Sequence, residues 1–158
     1  MREKIQKKPK LSTLQIGKLG ELEVQKKFLE LGYDSSHLTT DTGVDLVVLI
    51  KNKFLSFQVK TILVAAKAGG KGSLAIDWYV PTKNTANYLA FVYYKKKQVW
   101  IFNLKDLEKL YKKGQCQKAS GKYHLSMYLE ENKKSKKIKF RKFYDKYLFE
   151  NKLKELEK

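Results

Sequence analysis

Residues 44–50 (Val-Asp-Leu-Val-Val-Leu-Ile) form an apolar run interrupted only by Asp45. A short run of this kind, closed by turn residues, suits a strand buried on both faces. Lys51-Asn52-Lys53 then supplies a turn, and the next segment, residues 54–63, reads as a second strand. Phe54, Ser56, Gln58 and Lys60 fall on one face of it, and Leu55, Phe57, Val59 and Thr61 on the other. The tight connection makes the two strands an antiparallel hairpin. The chain must therefore build a sheet around this hairpin, and the register decides whether Asp45 comes beside Gln58 and Lys60.

The surroundings supply the rest of an α/β protein. From about Ser12 to Leu31, the residues Leu14, Leu19, Leu22, Val24, Phe28 and Leu31 recur at helical spacing. Ser12 or Thr13 can cap the start, and Gly32 can end the helix in the left-handed region. Residues 33–38, 74–80, 88–94 and 98–102 read as strands, the last two as a hairpin across Lys95-Lys96-Lys97. Residues 65–73 are small, Gly-rich and basic, and read as a loop without phosphate-loop spacing. Asn103 can cap a helix over residues 104–111, and residues 123–129 alternate like an edge strand. The predicted class is α/β, a mixed central β-sheet flanked by helices. Residues 1–12 read as a basic arm, 13–130 as the core, and 131–158 as a basic amphipathic helix packing on it.

Charge points to a partner. The chain has 158 residues, enough for one domain, with 34 basic against 16 acidic side chains and a net charge of +18. A polyanion is the expected partner, with nucleic acid first and an anionic membrane surface second. Arg2 and Arg141 are the only arginines, and lysine contacts backbone phosphate as a point charge rather than reading guanine with a fork. The same excess would also arise in a lysine-rich proteome with no DNA partner. Lys67, Lys71, Lys83, Lys95, Lys96 and Lys97, beside flexible loops, are the candidate phosphate contacts. No apolar run is long enough to span a bilayer, and a membrane partner is not expected. The lone Cys116 rules out an intrachain disulfide, which suits the cytoplasm.

The chemistry concentrates in Glu21, Asp45, Gln58 and Lys60. Gln58 and Lys60 are two apart on a strand and share a face. Asp45 opens the partner strand, and a helix packed on the sheet can add Glu21. An acid in an apolar strand is costly without a cation or donors. One account is a salt bridge between Asp45 and Lys60. The other is a metal site, because magnesium keeps several waters and needs only one or two carboxylates. His37 and Asp77 are secondary candidates, the first as an exposed loop histidine or phosphate contact, the second as structural or supporting the site.

Together, Gly17-x-x-Gly20-Glu21-x-x-Val24, Leu31-Gly32-Tyr33, Gly43-x-Asp45-Leu46 and Gln58-x-Lys60-Thr61 resemble, in order and spacing, the PD-(D/E)XK nuclease superfamily. The likeness is to its small members, archaeal Holliday junction resolvases and intron-encoded homing endonucleases, and covers residues 14–63 best. It implies a restriction-endonuclease-like core and a metal-dependent endonuclease that hydrolyses DNA phosphodiesters. It also implies that Asp45, Glu21 and Gln58 hold Mg2+ or Mn2+ and that Lys60 serves as the motif lysine. Two departures stand out: Val44 where proline is common, and Gln58 in place of an acid, which brings an oxygen without charge. The alternative is a catalytically weak or inactive DNA-binding module on the same fold. Cutting both strands of a duplex takes two sites, so a homo-oligomer, dimer or tetramer, is expected.

Overall fold

The computed structural model describes residues 10–40, 42–129 and 141–158. Helix α1 (Thr13–Glu30) begins at a capping box in which Ser12 and Gln15 satisfy each other's backbone N–H groups. Gly32 follows it at φ 82°. Strands β1 (Ser35–His37), β2 (Leu46–Ile50) and β3 (Lys53–Ile62) form an antiparallel meander. The turn between β2 and β3 places Lys51 and Asn52 at φ 47° and 63°, the left-handed pair that matches the twist of a two-residue hairpin. Strands β4 (Ala66–Lys67) and β5 (Leu74–Pro81) come next, then the hairpin β6 (Tyr88–Tyr93) and β7 (Gln98–Phe102). Helix α2 (Leu104–Lys112), capped by Asn103, leads to β8 (Gln117–Ala119), β9 (Lys122–Tyr128) and finally α3 (Phe149–Leu156).

The expected mixed central sheet is present, and a second sheet accompanies it. The first has the order β1-β2-β3-β6-β7 and is mixed, because β6 lies parallel to β3. The second, β4-β5-β9-β8, is antiparallel. Strand β9 is thus an inner strand, not the expected edge strand; β8, only three residues long, was too short to announce itself. The Gly-rich segment expected as a loop contributes β4 and a single 3-10 turn at Ala68–Gly70.

The first sheet is covered on both faces. On one, Phe57 and Val59 of β3, Leu46, Val48 and Ile50 of β2, and Ala90 and Val92 of β6 pack against Val24 and Phe28 of α1 and Phe149 and Leu156 of α3. On the other, Phe91 and Tyr93 of β6 and Trp100 and Phe102 of β7 meet Ile76, Trp78 and Val80 of the second sheet. Helix α1 buries only Gly20, Val24 and Phe28. Leu14 and Leu22 of the expected apolar stripe are 86 % and 46 % exposed. A sheet offers a helix one narrow contact line, so the wider stripe read from sequence is not all used.

The C-terminal segment is less helical than expected. A 3-10 stretch at Arg141–Tyr147 precedes the short α3, while residues 131–140 of the expected helix lie outside the described residues. Tyr144 and Tyr147 are buried as expected of a packing face, whereas Phe143 is exposed. Among the described residues no helix is long and apolar enough to cross a membrane.

Candidate functional site

The site starts from an irregularity in the hairpin. Leu46 pairs with Phe57, yet the N–H of Asp45 also reaches the carbonyl of Phe57, at 2.9 Å. Asp45 and Leu46 therefore both stand against one residue of β3, a bulge of the kind that re-aims side chains near active sites. Beyond it the strands part, and the N–H of Val59 would lose its partner. The Asp45 carboxylate takes that place, with Oδ2 accepting from Val59 N at 2.7 Å. Val59 separates Gln58 from Lys60, so the acid is fixed against the backbone between the amide and the ammonium group.

Gln58 and Lys60 lie on the face of β3 opposite Phe57 and Val59, turned away from α1. The connection between β5 and β6 closes over this face through polar contacts that the sequence reading missed. Asn84 Nδ2 donates to Gln58 Oε1 at 2.9 Å, and Thr85 Oγ1 donates to the carbonyl of Thr42 at 2.7 Å. Asn87 Oδ1 accepts from both the backbone N–H and the hydroxyl of Ser56, each at 2.9 Å. The available signal was an Asn/Thr-rich stretch with no apolar purpose, Thr82-Lys83-Asn84-Thr85-Ala86-Asn87. Gly43 makes the fit possible: its φ is 76°, and a Cβ there would lie 3.1 Å from Thr85 Oγ1 and 3.8 Å from Gln58 Nε2.

Glu21 is carried by α1, where the preceding residue Gly20 meets Thr61, the neighbour of Lys60 on β3. Its Oε2 lies 2.7 Å from Lys18 Nζ and 3.4 Å from His37 Nδ1. Gln25 donates to the Ser35 carbonyl, so its Oε1 is turned to accept from His37 Nε2 at 2.8 Å. His37 Nδ1 also lies 3.4 Å from Lys18 Nζ. His37 is therefore not a solitary loop histidine; it sits in β1 and ties α1 to the sheet. Among the described residues no three His, Cys, Asp or Glu side chains converge as a metal cluster. The structure thus joins Asp45 to the Gln58–Lys60 segment and engages Glu21 with Lys18 and His37.

The basic residues distribute unevenly. Strands β3 and β6 run in parallel, so Lys60 and the Lys95–Lys97 turn lie toward the same end of the sheet. Lys67, Lys71, Lys83, Lys95 and Lys96 are exposed. Lys97 is engaged: its Nζ lies 3.2 Å from Glu23 Oε2 and 3.3 Å from the centre of the Tyr94 ring. Burial alone would lower its pKa, but bonding to Tyr94 and Glu23 prevails and raises it. Asp77 is outside the site. Its neighbours Ile76 and Trp78 point into the core, while Asp77 points outward to His124 Nε2, 2.8 Å away.

Two sheets with helices on the outer face of the first, and a bulged hairpin carrying Asp45, Gln58 and Lys60, make up a mixed α/β fold. The same fold is found in I-Ssp6803I, a bacterial homing endonuclease, with a TM-score of 0.61 and 16 % identity over 92 % of this chain and 91 % of that one. Hjc, a Holliday junction resolvase from the archaeal hyperthermophile Archaeoglobus fulgidus, is similar at a TM-score of 0.47 and 11 % identity, over 69 % of this chain and 82 % of that one. No protein-family model and no curated protein matches the sequence.

Proposed function

We propose that this protein is a divalent-metal-dependent DNA endonuclease that hydrolyses phosphodiester bonds at Asp45, Gln58 and Lys60. The observation that carries the reading is the Asp45 carboxylate locked onto the Val59 N–H, between Gln58 and Lys60. The donor set fits a hard cation. One carboxylate and one amide oxygen suit magnesium or manganese, which complete their coordination with water and substrate phosphate. Once bound, the metal would neutralise charge on the scissile phosphate and lower the pKa of an attacking water.

The chain's own residues carry the remaining work. Asp45, fixed by its backbone bond, supplies the anionic oxygen in a set geometry. Gln58 supplies a second oxygen without charge, so binding is weaker than with two acids. Lys60, on the face of Gln58, holds the water or a phosphate oxygen by its ammonium group and stabilises charge that develops there. Glu21 is the third donor in this proposal, through Oε1, since Lys18 and His37 take Oε2. Lys67, Lys71, Lys83, Lys95 and Lys96 would meet backbone phosphates. Cleavage of both strands of a duplex takes two sites, and a symmetric assembly of this chain would supply them.

The test is incubation of the purified protein with supercoiled plasmid and with branched DNA, in magnesium and in chelator. Metal-dependent cutting that disappears in Asp45→Ala and Lys60→Ala supports the site. Cutting that survives either substitution discards it. The uncharged Gln58 also favours a second reading, a DNA-binding module without catalysis. Salt-dependent binding with no cutting under any metal would select that one.

A further inference from the structure

The contacts around Gln58 determine which end of its amide faces which neighbour, and a single residue makes that choice. The N–H of Ala86 can only donate, and it meets Asn84 Oδ1 at 2.9 Å. Asn84 must therefore present its NH2 group on the other side, and that group meets Gln58 at 2.9 Å. A donor there requires Gln58 to offer its oxygen. The relay Ala86 N–H to Asn84 to Gln58 is thus oriented end to end by one backbone donor. Gln58 Nε2 is left on the side of Gly43.

We propose that Asn84 is a positioning residue that selects the carbonyl end of Gln58 for the cation. The inference rests on the metal-site reading above and adds a residue to it. An amide is the one ligand type in this site for which orientation matters. Rotating it by half a turn replaces an acceptor oxygen with an NH2 group that repels a cation. A carboxylate has no such problem, since its two oxygens are equivalent. A glutamine at this position therefore needs an orienting partner that an acid would not, and a donor fixed by its own backbone bond provides one. An oxygen with two lone pairs can accept from Asn84 and still face a metal. Outer-shell partners of this kind are worth about 10–100-fold in metal affinity or activity.

The experiment measures Mn2+ binding to the full chain by titration calorimetry, beside the side-chain amide NMR signals of Gln58 in the metal-free protein. Asn84→Ala should weaken Mn2+ binding by about 10–100-fold. Asn84→Asp should weaken it further, because two acceptor oxygens would attract the Gln58 NH2 group and turn its carbonyl away. The metal-free Gln58 amide signals should then shift as its NH2 group acquires a strong acceptor. In the background of Gln58→Glu, Asn84→Ala should cost little or nothing. Tighter Mn2+ binding in Asn84→Asp, or an equal loss from Asn84→Ala in both backgrounds, overturns the proposal. If the unmodified chain binds no Mn2+ and cuts nothing, the metal-site reading fails. In that event unchanged Gln58 amide signals in Asn84→Asp would show separately that Asn84 does not orient the amide.

Discussion

Gly20 of α1 sits so close to Thr61 of β3 that a Cβ on the glycine would fall 1.7 Å from Thr61 Oγ1. Among the described residues, the buried Thr61 hydroxyl has no hydrogen-bond partner. The first prediction follows from this crossing. Gly20→Ala forces helix and strand apart and should lower stability by about 1–3 kcal/mol, despite alanine's better helix propensity. Thr61→Ala in the same chain should restore part of the loss, because Oγ1 and Cγ2 are two of the three atoms in the way. Urea unfolding of the single and double variants measures this. Additive losses would mean that the two residues do not meet as described.

The Gly20–Thr61 contact also explains why the motifs were readable. Gly20 and Thr61 belong to separate sequence motifs, and the requirement that joins them is local and steric. The hairpin was readable for a similar reason, since alternation on β3 and the Lys51-Asn52 turn are short-range features. The two-sheet division was not. Tyr123, Leu125 and Met127 alternate as any half-buried strand does, and nothing local says which sheet receives them. The same limit applies to the site. Asp45, Gln58 and Lys60 were candidates from spacing, but the bulge that turns Asp45 onto Val59 depends on where the ladder ends. Asn84 is 26 residues from Gln58 in a polar connection, where sequence patterns carry no register. Glu21 shows both cases: its i,i+3 partner Lys18 on α1 follows from helical spacing, whereas its neighbour His37 on β1 follows from no spacing rule.

A second prediction concerns the ion pair that joins α3 to α2. Lys152 Nζ lies 2.9 Å from Asp106 Oδ2 and 2.7 Å from Glu155 Oε2, with the Lys152 side chain 5 % exposed. Asp106→Ala removes a capping-box partner of Asn103 and leaves the ammonium group without its buried partner. Stability should fall by about 3–5 kcal/mol, as for breaking other buried pairs. Thermal and urea denaturation at neutral pH test it. A loss below about 0.5 kcal/mol, the scale of surface substitutions, would place the pair in solvent.

The same lysine predicts the alkaline limit. Burial pushes the Lys152 pKa down, but bonds to Glu155 and Asp106 outweigh it and hold the value above the ordinary 10.5. A group whose folded-state pKa is raised contributes its stability fully below the unfolded value and loses it as pH rises through the folded one. Stability should therefore decline above about pH 10.5, and Lys152→Met should flatten that decline. Denaturant midpoints between about pH 8 and pH 11.5 would show it. An alkaline decline of equal steepness in Lys152→Met would assign the effect to other groups.

A further prediction follows from the missing charge at Gln58. Gln58→Glu adds a further carboxylate while leaving an acceptor for Asn84, so the metal requirement should ease. Half-saturating Mg2+ for cutting should fall by about tenfold or more, equivalent to about 1.4 kcal/mol. A magnesium titration of plasmid cleavage reads this. An unchanged requirement would mean that residue 58 does not face the cation.

The last prediction separates lysines that can reach DNA from those already engaged. If about six to ten of the chain's lysines touch phosphate, affinity should drop by about 10³–10⁵ between 50 and 200 mM salt. Lys95 and Lys96 are exposed on the turn at the site's end of the sheet, whereas Lys97 is held by Glu23 and Tyr94. Removing one lysine that neutralises a phosphate should reduce the slope of log K against log salt by about 0.9 on duplex DNA. Lys95→Gln and Lys96→Gln should each show that change. Lys97→Gln should leave the slope nearly unaltered, because its charge is already matched by Glu23. Lys118, on β8 and 3.4 Å from Glu108, is the distant control. Equal slope changes for Lys95, Lys97 and Lys118 would mean that net charge alone drives binding, with no preferred face.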